Sequence, residues 1–136
     1  MNILFMCVAN SVRSQMAEGL ARIIFGDKAK IQSAGQFAYD LHPVGVRVMS
    51  ELGIDISDQR SKSVDTINHE EIQVVVVLCK EPVCPPGLNH AKRFDWPLLD
   101  PSLPAKTDEE RLQRFRDTRD DLQKRIEELQ KELGLT

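Results

Sequence analysis

The sequence predicts an α/β protein with a small, doubly wound parallel sheet of about four strands flanked by helices. Short apolar runs alternate with stretches whose apolar residues recur every three or four positions, which is typical of alternating strands and helices. The run at 74–77 consists of four consecutive valines and indicates a strand that is buried on both faces. Together these patterns favour a Rossmann-like layout, with helices packed on a parallel sheet.

The elements are predicted in a definite order along the chain. They are a strand over 2–7, a polar turn from Val8 to Arg13, a helix from about Ser14 to Phe25, a strand over Lys30–Ser33, a helix opened by His42-Pro43, a strand over Ile72–Cys79, a short strand over 91–95, and a helix from Thr107 or Asp108 to Leu133. The first and third strands are short apolar runs. Gly26-Asp27 stops the first helix, and Gly53 stops the second.

Helical spacing supports each helix. The expected apolar faces are Met16, Ala17, Leu20, Ala21, Ile23 and Ile24 in the first helix, Val44, Val48, Met49 and Leu52 in the second, and Leu112, Phe115, Leu122, Ile126, Leu129 and Leu133 in the last. Thr107 and Glu110 fit a capping box. The apolar spacing of the last helix is close to a heptad repeat and would also fit a coiled coil. The repeat covers fewer than four heptads, however, and packing of the helix against the sheet explains the same spacing.

Composition limits the class of protein. The chain has 136 residues, of which 41% are hydrophobic and 29% charged, so we expect one globular domain over 1–136 and a monomer. The net charge of −3 argues against nucleic-acid binding by bulk charge. No apolar run approaches the ~20 residues of a membrane helix, and the first residues do not resemble an export signal. Three cysteines favour a cytoplasmic protein with free or redox-active thiols.

Cys7 ends the first predicted strand and begins a C-x5-R-S segment, made of Cys7, Val8, Ala9, Asn10, Ser11, Val12, Arg13 and Ser14. Ligand sites in parallel sheets lie beyond the carboxyl ends of the strands. Loop amides at the start of a helix can hold an oxyanion and favour the Cys7 thiolate, Arg13 can clamp the anion, and Ser14 can donate a hydrogen bond to the sulfur. The bare spacing also allows a merely buried cysteine, but its position between strand and helix favours the oxyanion site.

Asp100-Pro101 follows a proline-containing stretch that we expect to be a surface loop. A carboxylate on such a loop could act as a general acid above the oxyanion site. By itself, the same dipeptide is more typical of an ordinary turn.

Cys79 ends the valine-rich strand, so it is expected at the same sheet edge as Cys7, with Cys84 five residues later. Three interpretations remain open: a buried, inert Cys79, a zinc site for which only His90 is near in sequence, and a thiol relay that carries oxidation away from Cys7. We expect no metal and no cofactor. The three histidines, His42, His69 and His90, are expected to be structural or exposed.

The segment from Cys7 to Leu20 resembles the signature of the low-molecular-weight tyrosine phosphatase fold, and more narrowly that of the thioredoxin-coupled arsenate reductases. The resemblance continues in order through Gln32-Ser33-Ala34-Gly35, His42-Pro43, Leu52 to Ser57, Ser61 to Val64, Val77-Leu78-Cys79, Cys84-Pro85, Trp96 and Asp100-Pro101. It therefore covers nearly the whole chain.

The resemblance implies a role for each matching residue. Cys7 attacks arsenate, Arg13 and the loop amides hold the oxyanion, and Asp100 is the general acid. A transient Cys7–Cys79 disulfide is followed by a Cys79–Cys84 disulfide, which thioredoxin reduces. The positions that match loop supports are Asn10, Glu18, Ser33 and Lys62.

Some positions depart from the family pattern. Lys62 stands where some relatives have an aspartate that serves a potassium ion, so we expect its ammonium group to replace that ion. Ala9 stands where glycine is common, Val12 replaces a cysteine that is not part of the relay, and the step from Cys79 to Cys84 is shorter than in some arsenate reductases.

Two other functions use the same cysteine loop. A low-molecular-weight protein tyrosine phosphatase would hydrolyse phosphate monoesters through a phosphocysteine, but Ser102-Leu103 and Gln15 stand where that branch has aromatic residues and proline, and Tyr39 is distant in sequence. A non-enzymatic phosphocarrier is disfavoured by Arg13 and Asp100, because a carrier needs a phosphocysteine that persists.

Overall fold

A computed structural model describes all 136 residues and contains one four-stranded sheet. The strands are β1 (Asn2–Cys7), β2 (Lys30–Gly35), β3 (Val74–Val77) and β4 (Lys92–Asp95), in the spatial order β2-β1-β3-β4, and every pair is parallel. The helices are α1 (Arg13–Phe25), α2 (Pro43–Ser50) and α3 (Asp108–Glu132). The predicted α/β fold with a parallel sheet is confirmed.

Two apolar clusters cover the two faces of the sheet. The larger one joins Ile3, Phe5 and Cys7 of β1 to buried side chains of all three α-helices, including Phe115. The smaller one joins the opposite face to short 3-10 turns at Val64–Thr66 and Pro86–Leu88. The apolar side of α3 therefore belongs to the domain core, as the helical spacing predicts.

Several element ends differ from the sequence prediction. β2 runs on to Gly35 because its parallel pairing with β1 continues as far as Cys7. β3 covers only the four valines, although the flanking Ile72 and Cys79 are buried. α2 ends at Ser50, before Gly53, so the expectation that Leu52 belongs to its apolar face is wrong: that side chain is 42% exposed.

The start of α3 contains only half of the predicted capping box. The Thr107 hydroxyl accepts a hydrogen bond from the Glu110 N–H at 3.0 Å. The Glu110 carboxylate, however, accepts from the Lys106 N–H at 3.1 Å rather than from Thr107. The carboxylate thus closes the turn one residue earlier, while the cap itself is retained.

Candidate active site

A loop between β1 and α1 holds Cys7 at the carboxyl end of the first strand. Cys7 is 2% exposed, and its Sγ lies 2.9 Å from Ser14 Oγ. α1 begins at Arg13 after Val12, which makes no side-chain cap. The first-turn amides of α1 are therefore available to an anion, and the positive end of the helix points toward the loop.

Gly35 of β2 lies against this loop where no side chain fits. A Cβ on Gly35 would lie 2.7 Å from Val8 O and 2.7 Å from Asn10 N, which is closer than real contacts allow. The following segment continues the contact, since Phe37 N–H donates to Val8 O at 2.9 Å and Tyr39 N–H donates to Ala9 O at 3.0 Å. The loop is thus held in shape by backbone on one side.

Asn10 is the centre of the loop, with a left-handed φ of 49° that asparagine tolerates better than most residues. Its Oδ1 accepts from Lys62 N–H at 2.8 Å and from the Gln15 amide at 3.0 Å. Its Nδ2 donates to Ser14 Oγ at 2.8 Å and to Ser33 Oγ at 3.0 Å. The buried amide is fully hydrogen-bonded, which fixes the loop from behind.

The hydrogen bonds behind the loop have a defined direction. The buried Glu18 carboxylate accepts from the Ser33 hydroxyl at 2.5 Å, and Ser33 Oγ accepts from Asn10 Nδ2. Ser14 Oγ also accepts from Asn10 Nδ2, so its own hydrogen remains free to point toward Cys7 Sγ. Ser14 can therefore donate this hydrogen to the Cys7 sulfur.

Glu18 is neutralised by two cations. Arg22 donates to Glu18 Oε2 from Nη2 at 2.9 Å and from Nε at 3.1 Å, and Lys62 Nζ lies 3.8 Å from Oε1. Lys62 Nζ also donates to the Arg60 carbonyl at 2.9 Å. The structure thus brings together the expected supports Asn10, Glu18, Ser33 and Lys62 behind the loop.

A pocket of about 510 Å³ opens in front of Cys7. Arg13 lines it and is anchored by a 2.9 Å hydrogen bond from Nη1 to the Leu98 carbonyl. Asp100 also lines the pocket, and its Oδ1 accepts hydrogen bonds from Ser102 N–H at 2.9 Å and from Ser102 Oγ–H at 2.7 Å. Its Oδ2 has no protein partner and is available to a ligand in the pocket.

Cys79 lies next to this pocket but on the other side of the sheet edge. It belongs to the smaller apolar cluster, whereas Cys7 belongs to the larger one. Burial raises the pKa of the Cys79 thiol to about 11, opposed by the Arg13 guanidinium and reinforced by Cys7. Its Sγ–H points to the Glu81 carbonyl at 3.7 Å.

Cys84 lies in a segment without regular secondary structure and packs against the smaller cluster. Burial also raises the pKa of its thiol. All three cysteines are free thiols. No group of three or more His, Cys, Asp and Glu side chains is arranged to hold a metal ion, and no helix has the length and apolar character to cross a membrane.

The sequence patterns did not predict the apolar mouth of the pocket. Tyr39, distant from Cys7 in sequence, lines the pocket and is 61% exposed, with its ring stacked on Phe37 at 6.2 Å. Leu99 and Leu103 line it as well, with exposures of 68% and 45%. These residues lie in loops, where no periodic pattern marks their position.

The histidines have structural contacts. His42 caps α2, since its Nδ1 accepts from Val44 N–H at 3.1 Å, as expected from the His-Pro pair. His69 and His90 each place Nε2 at 2.9 Å from a backbone carbonyl, those of Val64 and Ile72.

A cysteine at a strand end, followed by a loop with free backbone amides and by an arginine at a helix start, is typical of C-x5-R enzymes of the phosphatase type. The chain belongs to the low molecular weight phosphotyrosine protein phosphatase family, whose model matches residues 2–135.

Within this family, the chain is similar to several arsenate reductases. An arsenate reductase of Bacillus subtilis strain 168 is 41% identical over 128 residues, which is 93% of this chain and 92% of that protein. The structure of an arsenate reductase in its phosphate-binding state superposes with a TM-score of 0.83 at 36% identity, covering 94% of this chain and 95% of the other. The thioredoxin-dependent arsenate reductase Cg_ArsC1' of Corynebacterium glutamicum has a TM-score of 0.76 at 27% identity, covering 98% of this chain and 62% of that one.

Proposed function

We propose that this protein reduces arsenate to arsenite and thereby serves arsenic detoxification in the cytoplasm. The observation that carries this proposal is the presence of two further free cysteines: the charges of Arg13 and Cys7 act on Cys79, and Cys84 packs against the same apolar cluster as Cys79. Hydrolysis of a phosphate ester requires no thiol besides the nucleophile, whereas reduction must supply two electrons. The similarity to arsenate reductases supports the same function.

The first step places arsenate on the nucleophile. Arg13, Ser14 and the amides of Val8 to Ser14 hold the oxyanion while Cys7 Sγ attacks arsenic and an oxygen leaves as water. Asp100 supplies the proton for that oxygen through its unpartnered Oδ2.

The next steps transfer two electrons. Cys79 attacks Cys7 Sγ, the electron pair of the sulfur–arsenic bond passes to arsenic, and As(V) leaves as the As(III) species arsenite. Cys84 then attacks Cys79 and releases Cys7 as a thiolate, which leaves a Cys79–Cys84 disulfide. We propose thioredoxin as the dithiol that reduces this bond, supported by the similarity to a thioredoxin-dependent reductase. We also propose that the protein acts as a monomer of one domain.

The test is to count thiols after a single turnover. The protein is reduced, freed of reductant under anaerobic conditions, treated with arsenate, alkylated and peptide-mapped. We expect three thiols to fall to one, with the bond at Cys79–Cys84, and we expect Cys84→Ser to stop at Cys7–Cys79. Phosphate in place of arsenate is the matched control and should leave all three thiols. Three thiols after arsenate treatment would contradict the proposal.

A phosphatase is the second candidate, favoured by the apolar mouth formed by Tyr39, Leu99 and Leu103, which could accept an aryl group. The Cys79→Ser variant separates the two functions. It retains Cys7, Arg13 and Asp100, so it should still hydrolyse an aryl phosphate, but it should not reduce arsenate. If arsenate leaves every thiol free and the aryl phosphate is hydrolysed, the phosphatase is the function.

A further inference from the structure

An ion pair at the edge of the sheet lies on the same face as two of the three cysteines. Arg93 and Asp95 of β4 are the register partners of Val75 and Val77 in β3. Register partners on parallel strands project to the same face, and both valines belong to the smaller apolar cluster. Arg93 and Asp95 therefore stand on the face of the sheet that carries this cluster.

Cys79 and Cys84 share that face. Cys79 is two residues beyond Val77 and is a member of the smaller cluster, and Cys84 packs against it. Cys7, by contrast, belongs to the larger cluster on the opposite face. The charges of Arg93 and Asp95 thus lie on the Cys79–Cys84 side of the sheet.

Arg93 and Asp95 form an ion pair on β4. Arg93 Nε lies 3.0 Å from Asp95 Oδ1 and 3.2 Å from Oδ2, and Arg93 Nη2 lies 3.0 Å from Oδ1. Arg93 has no second acidic partner. The side chains are 46% and 59% exposed, so their fields are partly screened.

The two charges affect Cys84 in opposite directions. Burial raises the pKa of the Cys84 thiol, the Arg93 guanidinium opposes that rise, and the Asp95 carboxylate adds to it. The Arg93 charge also interacts with Cys79.

We propose that Arg93 is a positioning residue whose charge favours the thiolate of Cys84 in the second thiol–disulfide exchange, and that the neighbouring Asp95 carboxylate opposes it. In that step the Cys84 thiolate attacks Cys79 Sγ, a Cys79–Cys84 bond forms, and the electron pair of the Cys7–Cys79 bond leaves with Cys7 as a thiolate. No external oxidant is needed, because one disulfide, Cys7–Cys79, is broken for the one, Cys79–Cys84, that is formed. The place of this step in a reaction rests on the proposed function, but the effect on Cys84 does not.

The test measures alkylation of Cys84 by iodoacetamide in the fully reduced protein, from pH 7 to 10, with peptide mapping. We expect Arg93→Gln to lower the rate of Cys84 alkylation about threefold at pH 8, since half-exposed charges have modest effects. Arg93→Lys should restore most of the rate, and Asp95→Asn should accelerate it. Lys92→Gln is the matched control, because Lys92 pairs with Val74 on the other face, and it should leave the rate unchanged.

The opposite changes in alkylation rate expected for Arg93→Gln and Asp95→Asn distinguish an electrostatic role from a structural one. Disruption of the segment around Cys84 would change its rate in the same direction for Arg93→Gln and Asp95→Asn, and that result would overturn the proposal. An unchanged rate in Arg93→Gln would overturn it too. Alkylation of Cys7 is followed in each variant and should not change.

Treatment with arsenate then tests whether Arg93 also affects the second thiol–disulfide exchange. In Arg93→Gln we expect the Cys7–Cys79 disulfide to persist about threefold longer before Cys79–Cys84 forms. If arsenate oxidises no thiol in the unmodified protein, the proposed function fails, and the alkylation rates still decide whether Arg93 favours the Cys84 thiolate.

Discussion

Arg13 donates a hydrogen bond from Nη1 to the carbonyl oxygen of Leu98, 2.9 Å away and 85 residues further along the chain. Leu98 N–H in turn donates to the Leu78 carbonyl at 3.1 Å, just beyond β3. Asp100 follows two residues later, so this pair of bonds sets the position of its loop relative to the Arg13 guanidinium. The other guanidinium N–H groups have no protein partner and remain available to an oxyanion.

Ser14 is expected to control the reactivity of Cys7. Hydrogen bonds to charged groups contribute about 1.5–3 kcal/mol, so loss of the hydroxyl that faces the sulfur should make the sulfur less reactive. We predict that Ser14→Ala slows alkylation of Cys7 at pH 6 about tenfold, measured with peptide mapping. Ser11→Ala is the control, because its hydroxyl donates to the Asp40 carbonyl instead. Equal rates in the two variants would refute this role for Ser14.

The Cys7 loop was predictable because its signals are local. Cys7 ends an apolar strand, Arg13 starts a helix, and the residues between them are contiguous in sequence. The parallel sheet was predictable for a similar reason, since the four valines of β3 require burial on both faces.

The rest of the site depends on contacts between loops. The Arg13–Leu98 hydrogen bond and the Lys62–Glu18 pair connect segments that no hydropathy pattern relates. Tyr39 reaches the pocket only because backbone hydrogen bonds align its segment with the Cys7 loop. Such contacts join residues far apart in sequence and become visible only in three dimensions.

Lys62 should make the enzyme independent of potassium. Its ammonium group lies 3.8 Å from Glu18 Oε1 and donates to the Arg60 carbonyl, so the buried carboxylate has a cation already. We predict the same turnover in potassium and in tetramethylammonium salts at fixed ionic strength. Lys62→Ala should lower turnover, and added potassium should restore part of it. A clear rise in the rate of the unmodified protein on adding potassium would contradict the prediction.

Cys79 should ionise late. Because burial raises its pKa to about 11, above the ordinary 9.0, only a small fraction is thiolate near neutral pH. We predict that its alkylation rate in the reduced protein rises about tenfold per pH unit from pH 7 to 10, since the rate follows the thiolate fraction. The measurement is peptide-mapped alkylation, with the unfolded protein as the reference for an ordinary cysteine. A plateau at or below pH 9 would show that the thiol is not shielded.

His42 should make stability depend on pH. Burial lowers its pKa below the ordinary 6.5, with Arg111 reinforcing that effect and Asp100 opposing it. The unfolded chain therefore takes up the proton first, so the contribution of His42 is complete above pH 6.5 and is lost as the pH falls through the lower folded value. Protonation of His42 also removes the cap of α2, because a protonated Nδ1 cannot accept a hydrogen bond from Val44 N–H.

Two variants test the role of His42 by denaturant unfolding between pH 5 and 7.5. His42→Asn retains a capping side chain that does not titrate, so its free energy of unfolding should fall less on acidification than that of the unmodified protein. His42→Ala removes the cap and should cost about 1 kcal/mol at pH 7.5, with a further loss of packing on Phe115, whose ring centroid is 5.0 Å from the imidazole. If the free energy of unfolding falls equally with pH in the unmodified protein and in His42→Asn, a group other than His42 causes the loss of stability at low pH.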